Sequence, residues 1–220
     1  MSERADDAVT DAADDAGAGA DTGAGGDAAA SEEPTRPTWD DAYLDDVAER
    51  LQYSFDLERD VALDGETWPL SGELNLEREK YFLHPSISYG RHDSDEHLFV
   101  RRADALDTDA LDDLVDLGHR LADERITANE RHYSTEFTFA LVVPGIDDAV
   151  RDYVAGFRER TLLKYGYYGH YEVNLVVVAP GDESCVASAE ADVADAFRTW
   201  RDPTVRERGL FGRVADAIFG

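Results

Sequence analysis

Seven consecutive residues, Arg91-His92-Asp93-Ser94-Asp95-Glu96-His97, bring two imidazoles and three carboxylates into one short stretch. Borderline metals such as zinc take His nitrogen and carboxylate oxygen. The stretch is therefore the candidate centre of a metal-assisted hydrolase, with His92, Asp93, Asp95 and His97 as ligands. A second pair, His170 and Glu172, is spaced two apart, which on a strand puts both side chains on one face. Against the first candidate stands its position between two strand-like runs, where it reads equally as an acidic hairpin turn. The sequence contains no phosphate-cradling Gly-rich loop opening a helix, no Gly-x-Ser-x-Gly elbow and no His-Glu-x-x-His. Cys185 is the single cysteine, so neither an intrachain disulfide nor a thiolate zinc site is available. The expectation is a protein that is not an enzyme and carries no cofactor or metal; the metal-assisted hydrolase is the alternative.

These side chains have to be held by strands. The run Tyr165–Ala179 is the most strand-like in the chain and closes at Pro180-Gly181. Its odd positions are apolar at Tyr167, Tyr171, Val173, Leu175 and Val177. Its even positions start polar, with Tyr168, His170, Glu172 and Asn174, and turn apolar at Val176 and Val178. One face belongs to a core; the other is wet at one end and covered at the other. Other strands offer similar polar sides: Lys80, His84, Ser86 and Ser88, then His97 and Arg101, then Glu136 and Thr138. On one sheet face, His84, Arg101, Glu136, Thr138, Tyr168, His170, Glu172 and Asn174 would form a concave binding surface. The plainer reading of the same pattern is a solvated antiparallel face.

Around them the chain reads as one α+β domain. Thr38-Trp39-Asp40-Asp41 has the form of a capping box, followed by Tyr43, Val47, Leu51 and Phe55 at helical spacing up to about Asp56. Asp64-Gly65 marks a turn. Leu70–Leu76, Tyr81–Tyr89 and His97–Arg102 follow as a meander, broken at Glu77–Glu79 and at Gly90–Asp95, with Pro85 pointing to an edge or bulge. A helix capped by Asp107 or Thr108, a strand Thr135–Val143, a short helix from Ile146 to Phe157 and the strand described above come next. Two last helices, Val186–Trp200 and Val205–Phe219, are separated at Asp202-Pro203. The order α-β-β-β-α-β-α-β-α-α predicts a mixed, mainly antiparallel five-stranded sheet with helices on one face.

Charge sets the habitat. The formal net charge is −28, with 19 Arg and only 2 Lys, Lys80 and Lys164. An acid-rich, Lys-poor, Ala- and Gly-rich chain suits a cytosol of molar salt, where the Debye length is about 3 Å. No basic stripe is present to neutralise phosphates, so nucleic acid is not expected as a partner. No apolar run approaches the roughly 20 residues of a membrane span, and the acidic N-terminus does not resemble a secretory signal. The expected location is cytoplasmic. Residues 1–37 read as a disordered acidic Ala/Gly/Asp-rich tail, 38–203 as the domain and 204–220 as an amphipathic C-terminal helix. In that last segment Phe211, Val214, Ile218 and Phe219 share a stripe, and its formal charge is +1 from Arg206, Arg208 and Arg213 against Glu207 and Asp216. It is a candidate anchor for a partner chain or, as the weaker option, for an anionic membrane surface.

Helix, three strands, helix, strand is also the order of the restriction-endonuclease-like nucleases. Their Glu-x-Lys signature is not met: the third strand gives Glu96-His97-Leu98, and Lys80 follows Arg78. The same order resembles the small secretion-chaperone-like α+β fold, which implies dimerisation and disordered protein partners. The acidic leader, the Tyr165–His170 run and the strand after it resemble uncharacterised acidic haloarchaeal proteins, a likeness that implies no activity. The combined expectation is a halophilic, cytosolic interaction or dimerisation module, homodimeric or bound to a protein partner.

Overall fold

The computed structural model describes residues 36–81 and 88–201, and of 77–81 and 88–92 it describes the backbone. Helix α1 (Ala42–Leu51) is started by Asp41, whose carboxylate accepts the amide protons of Tyr43 and Leu44. The cap is therefore Asp41 and not Thr38: Asp outranks Thr at this position, and its charge suits the positive end of the helix dipole. Arg102 bonds the same carboxylate and holds it below the usual carboxylate range. Strand β1 (Asp56–Leu63) turns through Asp64-Gly65 into β2 (Glu66–Tyr81). Both turn residues have positive φ, 53° and 78°, which matches the right-handed twist of the strands it joins.

β3 (Ser88–Arg102) runs antiparallel to β2, and α2 (Thr108–Arg125), capped by Asp107, carries the chain back to β4 (His132–Val142), parallel to β3. After α3 (Asp148–Gly156) come β5 (Glu159–Leu162), a 3-10 turn at Leu163–Gly166 and β6 (His170–Ala179), parallel to β4. The outer side of β6 is shared, by β5 along its first half and by β7 (Ser184–Ala187) along its second. The spatial order is β1-β2-β3-β4-β6-β5, with β7 beside β6.

The architecture is α+β with a mixed sheet, as the sequence leads one to expect, but its details differ. Seven strands are described, not five, and the central pairs β3–β4 and β4–β6 are parallel. The breaks expected at Glu77–Glu79 and Gly90–Asp95 are strand instead. Residues 93–95 pair with β2 on one side and β4 on the other, and a doubly paired backbone overrides the turn preference of Gly, Asp and Ser. The acidic hairpin turn does not exist. Nor does a helix run from Val186 to Trp200: that stretch is the end of β7 and a 3-10 helix, Asp192–Phe197. The C-terminal helix at 204–220 lies outside the described residues.

Helices pack on both faces rather than one. Against α2 and α3 lie Trp68, Phe99, Phe137, Phe139, Leu141, Val173, Leu175 and Val177. Against α1 and the 3-10 helix lie Leu70, Leu98, Val100, Ala140, Val142, Val176 and Val178. Each Val, Leu or Phe side chain so buried contributes about 1.5–3 kcal/mol. Helix α2 approaches the sheet closely at Gly118, where a Cβ would sit 2.7 Å from Val173 Cγ2 and 3.0 Å from Cγ1. Gly118→Ala gains about 1 kcal/mol of helix propensity, but overpacking against a stiff, buried β-branched side chain costs about 1–3 kcal/mol. We expect a net loss of stability of about 1 kcal/mol in a denaturant titration; a stabilised variant would contradict this packing.

Candidate functional site

On β6 the two faces fall as the sequence indicates, but the polar end expected to be wet is buried at Glu172 and Asn174. Tyr171, Val173, Leu175 and Val177 belong to the α2-side core, and Val176 and Val178 to the α1-side core. The fully buried apolar residues under α1 reach Leu70, Leu98, Ala140 and Val176, with Leu74 packed against them. Beyond them, strand register lays out three polar rows on the same face. The first is Leu98–Thr138–Asn174, the second Leu74–Glu96–Glu136–Glu172–Arg160, and the third Leu76–Ser94–Ser134–His170–Leu162. Strands lie about 4.8 Å apart, so a five-strand row spans about 19 Å.

The middle row carries the charge. Glu96, Glu136 and Glu172 stand directly opposite one another on three adjacent strands, an arrangement in which like charges repel. Glu172 is only 5% exposed, and a buried carboxylate calls for a positive neighbour. Its Oε1 lies 3.6 Å from Arg160 Nε and 3.4 Å from His170 Nε2. Arg160 Nη2 is in turn 3.3 Å from His170 Nδ1. Ser134 donates to Ser94 Oγ at 3.1 Å, and the buried Asn174 accepts from the Ser188 hydroxyl at 3.1 Å. Chemically this is a polar floor with a row of three carboxylates, met at Glu172 by the Arg160 guanidinium and the His170 imidazole.

Of the residues singled out from sequence, Glu136, Thr138, His170, Glu172 and Asn174 share this face. Arg101 does not: it projects to the α2 side, 5.0 Å over the Trp68 ring and 3.4 Å from Glu66. Tyr168 precedes the strand, in the turn. His84, Phe211, Val214, Ile218 and Phe219 lie outside the described residues. Sequence reading missed Arg160, because the four-residue β5 has no periodicity long enough to register. Glu96 was legible as a residue but hidden in an expected turn.

Asp93, Asp95 and His97 face the α2 side and line a cleft of about 200 Å³ with Arg125, Asn129, His132 and Thr135. His97 stacks on Phe137 at 5.1 Å. Its Nδ1 lies 3.3 Å from Glu73 Oε1 and 3.4 Å from an Arg125 nitrogen, and one atom cannot serve both as donor and acceptor. Burial first, and Arg125 second, lower the His97 pKa despite Glu73. That nitrogen accepts from Arg125 in one tautomer and donates to Glu73 in the other, and Glu73 also lies 3.6 Å from the guanidinium. His132 is buried: Nδ1 donates to the Tyr168 carbonyl at 2.7 Å and Nε2 meets the Thr135 hydroxyl at 2.8 Å. Among the described residues no three His, Cys, Asp or Glu side chains are arranged to hold a metal ion. Burial pushes the Cys185 thiol up, away from nucleophilic chemistry.

A shaped turn borders the polar face. Lys164 (φ 47°) and Tyr165 (φ 60°) are consecutive left-handed residues, each strained for a side chain with a Cβ. The Leu163 amide donates to the Gly169 carbonyl at 2.9 Å, and His132 holds the Tyr168 carbonyl from β4. Gly169 (φ +76°) lies so close to β4 that a Cβ would be 2.1 Å from the Tyr133 carbonyl oxygen. This frame presents Tyr165 at 96%, Tyr167 at 86%, Leu162 at 57% and Tyr133 at 48% exposure.

Residues 40–199 match a family model described as Domain of unknown function (DUF8052). No curated protein and no solved structure matches the chain. No helix among the described residues is long and apolar enough to cross a membrane.

Proposed function

We propose that this chain, which belongs to the DUF8052 family, is a protein-interaction module of a salt-filled cytosol. It holds an extended, arginine- or lysine-bearing segment of a partner against the polar half of its α1-side sheet face. The observation that carries this reading is the in-register row Glu96–Glu136–Glu172, flanked by Arg160 and His170 on the same face. A guanidinium laid across that row would add charge-assisted hydrogen bonds to it, each worth about 1.5–3 kcal/mol. The row spans about 10 Å across three strands, room for two side chains about 6.6 Å apart at alternate positions of an extended peptide. Close, recessed pairs of this kind keep their strength at high ionic strength better than exposed ones.

Fluorescence anisotropy with a labelled octapeptide alternating arginine and alanine, in about 1 M KCl, tests the reading. A peptide alternating glutamate and alanine serves as control. The Glu136→Gln/Glu172→Gln variant, isosteric and with unchanged circular dichroism, should bind the arginine peptide at least ~10-fold more weakly. Equal binding by variant and parent, or equal binding of both peptides, would sink it.

A further inference from the structure

We propose that β5 and the turn after it form a self-association surface, on which a second copy of this chain adds its own β5 antiparallel about a two-fold axis. This surface adjoins the peptide-binding face and shares Arg160 and Leu162 with it, but the proposal does not rest on that reading. Among the described residues β5 pairs with β6 on one side and with no strand on the other, so its outer backbone groups form an edge open to augmentation. The opposite edge of the sheet, β1, is unsuited to that use. It carries Asp56, Glu58 and Asp60, and Asp60 is a left-handed residue that interrupts its pairing between Arg59 and Val61.

Charge favours the same side. Arg158, Arg160 and Lys164 against Glu159 give 158–169 a formal charge of +2 in a chain at −28. Arg158 lies 3.7 Å from Glu190 and Arg160 3.6 Å from Glu172, so the surface is close to neutral. Two strongly acidic molecules meet there without facing acid with acid. Area agrees. Three tyrosines at 96%, 86% and 48% exposure, with Leu162 at 57%, present on the order of 500 Å² of side-chain surface. An isologous contact counts it twice, reaching the roughly 1,000 Å² expected of a specific interface. The turn is already held in its strained shape, so little ordering entropy is lost when the tyrosines are covered.

Sedimentation velocity of the full chain in about 2 M KCl, over a concentration series to about 100 μM, reads the outcome. The parent should sediment at twice the chain mass. Tyr165→Ser/Tyr167→Ser and, separately, Leu162→Glu should weaken the dimer at least ~30-fold. All three positions are exposed, so native circular dichroism is expected of both variants, and either one that keeps it decides the matter. A monomeric parent throughout the series, or a dimer indifferent to the variants, overturns the proposal.

Discussion

Diluting KCl from about 2 M to about 0.1 M should lower the melting temperature of this protein by at least about 10 °C. The outer face of α2 shows why. Asp109, Asp112, Asp113 and Asp116 are all exposed and stand three or four residues apart. Four like-charge neighbour pairs on one helix, 109/112, 109/113, 112/116 and 113/116, destabilise by about 0.2–0.5 kcal/mol each when unscreened. That alone approaches 1–2 kcal/mol, before the longer-range repulsion of a chain at −28 is added. Screening acts through the Debye length, which grows from a few ångströms to about 10 Å across this range. Calorimetry at several salt concentrations measures the effect. A melting temperature flat in KCl would remove the basis for assigning the protein to a salt-filled cytosol.

Gly169→Ala should cost about 3 kcal/mol or more, while Gly166→Ala, three residues away, should cost only about 1 kcal/mol. Both glycines have positive φ, +76° and +89°, so the left-handed penalty is common to the two. They differ in space. At Gly166 a Cβ meets nothing within 4 Å; at Gly169 it would lie 2.1 Å from the Tyr133 carbonyl oxygen and 2.6 Å from its carbon. Backbone cannot swing aside as a side-chain end does. The alanine must push the turn off β4, straining the hydrogen bonds of Leu163 to the Gly169 carbonyl and of His132 to the Tyr168 carbonyl. Denaturant titration of both variants, with the Tyr signal in near-ultraviolet circular dichroism, gives the comparison. Equal losses at the two sites would mean that the close approach is not there.

What the residues themselves announced was face, not neighbour. The switch on β6 from polar His170, Glu172 and Asn174 to apolar Val176 and Val178 is local, and a period of two reports it directly. The pairing of Glu136 with Glu172 is not local: it depends on β4 and β6 lying side by side and parallel, which nothing inside either strand encodes. Arg101 went to the wrong face for the same reason. The Gly90–Asp95 stretch was misread because turn-forming residues say little when strands pair on both sides of them. Asp192–Phe197 was misread as α-helix because alanine spacing in an acid-rich segment imitates an amphipathic pattern.

The parallel centre of the sheet also bears on how the chain reaches its fold. The β1–β2–β3 meander can close through local contacts as soon as residue 102 is available. The inner edge of β3 must then wait for α2 and β4, about thirty residues further on, before Leu98, Phe99 and Val100 are covered. Until β4 docks, that half-sheet has an apolar edge with no partner of its own, the kind of edge that invites association. The acidic residues around it, among them Asp93, Asp95 and Glu96 on the exposed strand itself, act as gatekeepers in that interval. Surface charge here guards the folding route as well as the folded state.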